Sequence, residues 1–286
     1  MYGLSVDVMR SWAVLRTARV VLRSDDPRAS RLACLTRVKG DDHQVFETDS
    51  RSVHWEEFLA LTVQLEIDVH LGAKFSAKEI AQAEWCHLLG TSTNGYPQPE
   101  DTYRERTYDL SSACLTCSAG LRQTEPFRMK VAPKWGRRSL TQMVWVYDAW
   151  FVEPRAYREV FEPFGIESRE VLMRGGSTIG NVVQLVVDEV VALDEYRQSG
   201  ELCEACEQFK WHVRLSDFAP GPVKPPRGPM AMSEQWYGSG GMAFRATLVR
   251  QDLAAAMSAA GLKGANLHPC VPSIDPDAWL RPGKIG

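Results

Sequence analysis

The chain has 286 residues, of which 44% are hydrophobic and 24% are charged, a composition typical of folded globular proteins. Its 33 Lys and Arg residues stand against 36 Asp and Glu, and the formal net charge of −3 leaves no basic excess to neutralise a phosphate backbone. We therefore do not expect general nucleic-acid binding. No apolar run approaches the roughly 20 residues that span a bilayer, and charged residues interrupt the N-terminal stretch where a signal peptide needs an apolar core. These features predict a cytoplasmic protein without a membrane span.

Two elements are predicted in the N-terminal third. Residues 61–71 alternate apolar and polar side chains without a fault, which predicts a strand with one solvent-exposed face. Ser76 and Glu79 have the spacing of a capping box, in which each side chain bonds to the backbone amide of the other residue. We therefore expect a helix over residues 77–89.

Turn-forming residues divide the chain. Residues 91–100 contain an Asn-Gly pair and two prolines, which favour a loop, and we place a domain boundary there. Residues 1–100 are then an N-terminal α+β segment of unknown role, and residues 101–286 a second domain. A further stretch rich in Pro and Gly, at residues 219–229, predicts an exposed loop or strap, because proline cannot donate to a helix or sheet ladder.

The second domain contains one sub-pattern twice. Residues 143–152 predict an apolar strand, which is followed by a helix from Pro154 to Phe164 and a turn at Gly165, and residues 244–264 predict the same order. An apolar run over residues 182–193 predicts another strand. The predicted fold class is α+β, with a mixed or antiparallel sheet and helices packed on it.

Four of the seven cysteines form two C-x-x-C pairs, which are Cys114 with Cys117 and Cys203 with Cys206. The spacing lets a tight turn direct both sulfurs at one ion, and two such turns supply the four thiolates of a tetrahedral Zn²⁺ site. We predict that Cys114, Cys117, Cys203 and Cys206 bind one structural zinc ion and join two distant loops. Because four thiolates fill the coordination shell, no position remains for a catalytic water.

Two alternatives for the cysteine pairs remain open at this point. The pairs are either degenerate knuckles that bind no metal, or redox motifs, which would require the first cysteine of a pair to begin a helix after a strand. The other cysteines are Cys34, Cys86 and Cys270. We interpret these three as small buried hydrophobic residues.

Familiar catalytic motifs are absent from the sequence. It contains no G-x-x-x-x-G-K-[ST] phosphate loop, no H-E-x-x-H and no G-x-S-x-G. We therefore expect a binding protein, with an enzyme of unrecognised type as an alternative. Nine tryptophans are a generous supply, and any that are exposed would be natural anchors of a protein interface.

The two knuckles, Cys114–Cys117 and Cys203–Cys206, resemble those of the bacterial double-CXXCG motif proteins known from myxobacteria, and the resemblance covers roughly residues 108–272. In that family a glycine directly follows each second cysteine, whereas this sequence has Ser118 and Glu207. The resemblance implies that the cysteines bind zinc.

Some members of that family are classed as immunity proteins against swarm-inhibition toxins. The strand, helix and Gly-Leu-Lys-Gly turn over residues 244–264 also resemble the closing elements of polymorphic-toxin immunity families. The resemblance therefore implies an intracellular protein that binds a cognate protein toxin and neutralises it by masking.

A zinc-knuckle regulator that contacts nucleic acid is the alternative function. The basic segment over residues 128–138 would track phosphates while Trp135 stacks on a base. After Arg128, this segment contains four further cationic residues, which are Lys130, Lys134, Arg137 and Arg138. A solvated basic loop is the simpler interpretation of this segment.

Overall fold

The computed structural model describes residues 15–194, 199–213, 215 and 218–271. The N-terminal stretch considered above for a signal peptide therefore lies in part outside the described residues. Two compact units are present: one holds the described residues through Glu79 and those of the segment 214–218, and the other holds the remaining described residues. The division lies at Glu79, whereas the predicted boundary lies at residue 100, so residues 80–100 pack with the second unit.

The first unit has the element order βαββαβ, which is that of a ferredoxin-like motif. Its elements are β1 (Leu15–Arg23), α1 (Ala29–Ala33), β2 (Arg37–Lys39), β3 (His43–Asp49), α2 (Trp55–Gln64) and β4 (His70–Lys74). The strands form an antiparallel sheet in the order β2-β3-β1-β4. Val20 and Phe46 on one face of this sheet pack with Leu32 of α1 and Phe58 of α2 in a single core.

The predicted strand over residues 61–71 is wrong. Helix α2 continues to Gln64, Glu66 adopts a left-handed conformation with φ of 52°, and the strand begins only at His70. Phe58 and Thr62, four residues apart on α2, are the positions that this helix buries. Their helical spacing, together with the packing of Phe58 against the sheet, prevails over the local alternation that predicted a strand.

The capping box is confirmed, and the helix that follows it is shorter than predicted. Helix α3 (Ala77–Gln82) begins where the Glu79 amide donates to Ser76 Oγ at 3.2 Å and the Ser76 amide donates to the Glu79 carboxylate at 2.6 Å. The helix ends at Gln82 because residues Trp85–Gly90 form a strand, β5, whose first four residues are buried. The prediction of a helix over residues 77–89 is therefore right at its start and wrong after residue 82.

The second unit contains, within the described residues, a seven-stranded, a five-stranded and a two-stranded sheet. After β5 its elements are α4 (Tyr103–Thr107), β6 (Tyr108–Asp109), β7 (Arg122–Gln123), β8 (Arg128–Met129), β9 (Leu140–Met143), β10 (Val146–Val152), α5 (Pro154–Ala156, continued by a π turn at Tyr157–Phe161 and a 3-10 turn at Glu162–Phe164), β11 (Ser168–Met173), β12 (Thr178–Leu185), β13 (Val190–Val191), β14 (Gly200–Leu202), β15 (Phe209–Trp211), β16 (Met230–Tyr237), β17 (Phe244–Arg250), α6 (Gln251–Ala259) and β18 (Ala265–Pro269).

The sheets of the second unit are mixed. The five-stranded sheet has the order β8-β11-β12-β10-β9, and the path of the seven-stranded sheet is β14-β15-β16-β17-β5-β18, with β13 beside β16. Most neighbours are antiparallel, while β8 with β11, β13 with β16 and β15 with β16 are parallel. The fold is α+β with mixed and antiparallel sheets, as predicted.

Both predicted strand-helix-turn units are present, but the strand of the first begins at Val146 rather than at residue 143, because Trp145 has φ of 71° in the turn between β9 and β10. The helical segment after β10 and helix α6 contribute to one core, in which Phe161 and Leu253 pack with Trp150 of β10. Gly165 and Gly261 follow these helices with φ of 74° and 64°, the left-handed conformation that glycine adopts without steric cost. The glycines therefore end the helices where the sequence predicts.

Two other predictions need correction. The apolar run over residues 182–193 is two strands rather than one, because β12 ends at Leu185 and β13 pairs with β16 in another sheet. The segment 219–229 forms no helix, as predicted, but it is not an exposed loop throughout. Ala219 and Pro222 are buried, and each makes a bridge to another strand segment, which removes this part of the loop from solvent.

Candidate metal centre

Each cysteine pair lies in the loop of a short antiparallel hairpin. Strands β6 and β7 flank the first pair, and strands β14 and β15 flank the second. The four sulfur atoms lie within 4.8 Å of one another. The predicted convergence of two distant loops is therefore confirmed.

The distances between the two pairs suit a single ion. Cys114 Sγ lies 3.9 Å from Cys203 Sγ, and Cys117 Sγ lies 3.7 Å from Cys206 Sγ. A tetrahedron with Zn–S bonds of about 2.3 Å has edges of about 3.8 Å. Cys117 and Cys203 are buried, while Cys206 is exposed. The four sulfurs form a set that can hold a metal ion.

The two knuckles share one pattern of backbone hydrogen bonds. In the first, the Ser118 amide donates to the Cys114 carbonyl oxygen at 2.7 Å, and in the second the Glu207 amide donates to the Cys203 carbonyl oxygen at 2.8 Å. A second bond closes each turn, from the amide of the first cysteine to the carbonyl oxygen five residues later, at 2.8 Å and 3.0 Å. The site is therefore built from two turns of the same geometry, which face each other.

The residue after each second cysteine adopts the conformation that usually favours glycine. Ser118 has φ of 68° and Glu207 has φ of 58°. A left-handed conformation at a non-glycine residue costs on the order of 1 kcal/mol, and it persists where the surrounding structure enforces it. Both residues therefore adopt the left-handed turn conformation although neither is a glycine.

Backbone amides favour the thiolate at the first cysteine of each knuckle. The Cys117 amide donates to the Cys114 sulfur and lowers the pKa of that thiol to about 6, and the Ala205 amide lowers the pKa of Cys203 in the same way. Burial has the opposite effect at Cys117, where it raises the pKa of the thiol to about 12. A thiolate at Cys117 is therefore favoured by a nearby positive charge, which a metal ion between the sulfurs would supply.

A glycine-rich loop at residues 238–241 is hydrogen-bonded to Ser118 of the first knuckle and to Lys210, which lies beside the second knuckle. Lys210 follows the second knuckle on β15, is fully buried, and forms an ion pair with Glu201 at 2.8 Å. Its ammonium also donates to the Gly240 carbonyl oxygen, and the Gly240 amide donates to Glu201 at 2.6 Å. From the first knuckle, Ser118 Oγ donates to the Gly241 carbonyl oxygen at 2.9 Å. The loop is therefore bonded to both sides of the metal site.

Sequence reasoning missed Lys210. The Gly-Ser-Gly-Gly segment beginning at Gly238 reads as a flexible turn, and nothing in the sequence distinguishes Lys210 from a solvated lysine. The only available signal is that Lys210 lies between two aromatic residues of a strand. That signal predicts burial only when the partner strand is known.

The remaining cysteines differ from one another. Cys86 and Cys270 are buried, as predicted, and burial raises the pKa of Cys86 to about 12. Cys34 is exposed, so the prediction of a buried residue is wrong there. It follows the last residue of the short helix α1, and its thiol donates to the Arg31 carbonyl oxygen at 3.0 Å rather than pointing into the core.

The basic segment considered for nucleic-acid binding uses its tryptophan structurally. The Trp135 indole N–H donates to the Asn181 carbonyl oxygen at 2.8 Å, and the ring packs against a core cluster of the second unit. These contacts account for the position of the ring without a nucleic-acid ligand. The structure therefore gives the nucleic-acid alternative no specific support.

Comparisons with known proteins add no family. No family model matches the chain, and a search of curated proteins found no match. The resemblance to double-CXXCG motif proteins therefore stays a prediction that rests on the cysteine knuckles. Among the helices of the described residues, none has the length and apolar character needed to cross a membrane.

Proposed function

We propose that the chain is an immunity-type binding protein, clasped by a structural zinc ion, that neutralises a cognate bacterial toxin in the cytoplasm. One observation carries the proposal: the cysteines of two distant knuckles converge in a four-sulfur set. This is the feature on which the resemblance to double-CXXCG proteins rests. A reducing compartment also suits a site that needs four thiolates.

The metal in this proposal is structural. Four thiolates arranged as a tetrahedron favour zinc or iron, and zinc is the usual ion where a site joins two knuckles without a cluster. With four sulfur ligands the ion has no open position for a substrate. Its role is to hold the β6–β7 and β14–β15 hairpins together, since the free energy of binding such an ion is also free energy of folding.

An exposed pair of aromatic residues supports a protein partner. Tyr96 and Trp145 are 41% and 42% exposed, and their ring centroids lie 4.6 Å apart. Trp145 occupies the tight turn between β9 and β10 with φ of 71°, an unusual conformation for so large a side chain. Tyr and Trp carry a large share of the binding energy in protein interfaces. We place the toxin contact at this pair.

Co-expression tests the proposal. Each candidate toxin encoded beside this chain is expressed in a heterologous host with the wild-type chain, with Cys203→Ser, with Trp145→Ala or with Cys34→Ser. The wild type and Cys34→Ser restore growth, whereas Cys203→Ser fails because the clasp is lost, and Trp145→Ala protects less. Continued killing by every candidate in the presence of folded, zinc-loaded wild type would contradict the immunity role and leave the metal site standing.

A further inference from the structure

A cationic surface lies at the end of strand β8 and in the turn that follows it, within the second unit. Residues 126–147 contain no Asp or Glu, although the whole chain has a net charge of −3. We propose that this surface binds an acidic segment of a protein partner. The inference rests on the proposed function, since it gives the chemistry of the toxin surface that docks here. The exposed cations of the surface are Lys130, Lys134, Arg137, Arg138 and Arg174.

Strand pairing brings a cation of another strand into this surface. In the parallel pair of β8 and β11, Met129 lies opposite Met173, and the Arg174 amide donates to the Met129 carbonyl oxygen at 3.0 Å. Arg174 therefore lies beside Lys130 where the two strands end. Lys130 and Arg174 form one group of cations, although they are distant in the sequence.

The turn after β8 carries a second group of cations and is fixed by hydrogen bonds. The Trp135 indole donates to the Asn181 carbonyl oxygen at 2.8 Å, and the Asn181 side chain donates to the Pro133 carbonyl oxygen at 3.1 Å. The Arg138 amide donates to the Trp135 carbonyl oxygen at 2.8 Å, and the Arg138 guanidinium donates to the Lys134 carbonyl oxygen at 3.5 Å. The turn is therefore tied to β12, and its three cations, Lys134, Arg137 and Arg138, lie close to one another.

The cations of this surface lack acidic partners. The cations of the second unit that do form ion pairs are Arg122, Arg155, Lys210 and Arg250. Among the described residues, none of the five cations of the surface forms one. Two carboxylates border the surface: the Glu153 amide bonds to Ser139 at 3.0 Å, and the Glu170 carboxylate accepts a hydrogen bond from the Thr178 hydroxyl at 2.6 Å. Five cations against two carboxylates leave an excess of positive charge for a partner.

The cationic surface adjoins the exposed aromatic pair. Pro97 forms an antiparallel bridge to Met129, so Tyr96 lies beside Lys130. Tyr96 in turn contacts Trp145, with ring centroids 4.6 Å apart. Protein interfaces combine aromatic anchors with a polar rim, whose charges steer the partner during association. The partner surface that fits here therefore carries carboxylates beside an apolar contact.

An acidic protein segment matches this surface better than a nucleic acid does. The rings of Tyr96 and Trp145 are tilted by 57° and contact each other, so they do not form a parallel platform for successive bases. A phosphate backbone would also extend beyond five cations onto a chain whose net charge is −3. Three of the five cations are arginines, which form bidentate pairs with carboxylates.

The test is a titration of a fluorescently labelled, capped hexaglutamate peptide with the full chain at pH 7, followed by fluorescence anisotropy. At about 0.1 M salt the peptide should bind with a dissociation constant on the order of 0.1 mM, and a capped hexalysine peptide should not bind. At about 1 M salt the affinity for hexaglutamate should fall at least tenfold, because screening weakens exposed ion pairs.

Arg174→Gln tests whether the strand pairing builds the surface. It should weaken hexaglutamate binding about threefold, because it removes one exposed ion pair. Arg169→Gln is the matched control: it lies at the other end of β11, five residues and roughly 17 Å away, and it should leave the affinity unchanged. Equal weakening by Arg169→Gln and Arg174→Gln would show a general effect of net charge and overturn the proposal.

A triple variant tests the turn. Replacement of all three cations should weaken hexaglutamate binding tenfold or more, by about the sum of three exposed ion pairs. The variant combines Lys134→Gln, Arg137→Gln and Arg138→Gln. Its control removes the same number of charges at exposed positions elsewhere and should bind as the wild type does. The control combines Lys74→Gln, Lys78→Gln and Lys224→Gln.

A thymidine hexanucleotide is the competing probe. Tighter binding of the hexanucleotide than of hexaglutamate would overturn the proposal and identify a nucleic-acid surface. Absence of hexaglutamate binding by the wild type would overturn it as well. These titrations contain no toxin, so the two proposals fail separately. A chain that binds hexaglutamate as expected but protects against no toxin loses the immunity role, and one that protects without binding hexaglutamate loses the acidic docking surface.

Discussion

The core of the first unit and the knuckle region of the second unit are each stabilised by a different kind of interaction. In the first unit, apolar residues of a sheet and two helices form one cluster, whose largest members are Phe46 and Phe58. The buried cluster around the knuckles contains only Cys117, Ala119, Cys203 and Trp236, and the flanking strands β6 and β7 have two residues each. So little apolar area contributes little to ordering two long turns, because each ordered backbone residue costs about 1–2 kcal/mol of conformational entropy. We therefore expect the knuckles to depend on a bound ion, whereas the first unit depends on its apolar core.

Loss of one cysteine ligand should have the largest effect, because it disrupts the knuckles while the first unit stays folded. Cys203→Ser removes one of four thiolates, and the free energy of structural zinc binding, on the order of 10 kcal/mol, is also folding energy. We expect loss of metal and unfolding of the second unit at much lower urea concentration. Elemental analysis measures the metal content, and hydrogen exchange at increasing urea concentration measures the unfolding of each unit. Cys34→Ser, at an exposed cysteine of the first unit, should change stability by less than about 0.5 kcal/mol.

Acid should weaken the second unit through a pair of buried histidines. His87 and His268 are paired across β5 and β18, and burial and then the charge of His268 lower the pKa of His87 to about 3. The unfolded chain binds a proton at His87 near pH 6.5, so this contribution to stability is complete above that pH and is lost as the pH falls toward 3. The loss is on the order of 4 kcal/mol.

Unfolding by urea across this pH range tests the histidine prediction. Thiolates also become protonated in acid. The free energy of unfolding of His87→Leu is therefore compared with that of the wild type at each pH. The variant should show a flatter stability profile between pH 6.5 and pH 3, with His70→Leu, an exposed position of β4, as the control. Parallel profiles for the wild type and His87→Leu would show that His87 does not titrate in this way.

A smaller effect is expected at Lys210, which binds the glycine-rich loop beside the metal site. Lys210→Met keeps the length of the side chain but removes its ion pair with Glu201 and its bond to the loop. We expect about tenfold weaker zinc affinity, as for other groups that support metal ligands, and a stability loss of about 2 kcal/mol. Competition with a chromogenic chelator measures the affinity. An unchanged affinity would mean that the loop does not position the knuckles.

The smallest effect compares the two knuckles with each other. Glu207→Gly relieves a left-handed conformation and should stabilise the zinc-bound protein by up to about 1 kcal/mol. Ser118→Gly relieves the same strain but loses the bond from Ser118 Oγ to Gly241, so its net effect should be near zero. Thermal unfolding of both variants gives the difference. Equal stabilisation would show that the Ser118 bond contributes nothing.

Local chemistry decided what could be predicted from the sequence. The C-x-x-C spacing identified all four cysteines of the site, and the Ser76–Glu79 box placed a helix start to the residue. The strand over residues 61–71 failed because the packing of Phe58 against a distant strand decides the conformation, and alternation within a window does not report it. The burial and ion pair of Lys210 could not be predicted for the same reason, since its partners become neighbours only in the folded sheet.

We expect one zinc ion to bind all four cysteines. X-ray absorption at the zinc edge can test this on protein purified without chelator, with the metal content measured in parallel. The spectrum should show one zinc per chain with four sulfur neighbours at about 2.3 Å and no nitrogen or oxygen neighbour. Protein that contains no metal, or a zinc ion with fewer than four sulfur neighbours, would contradict this expectation.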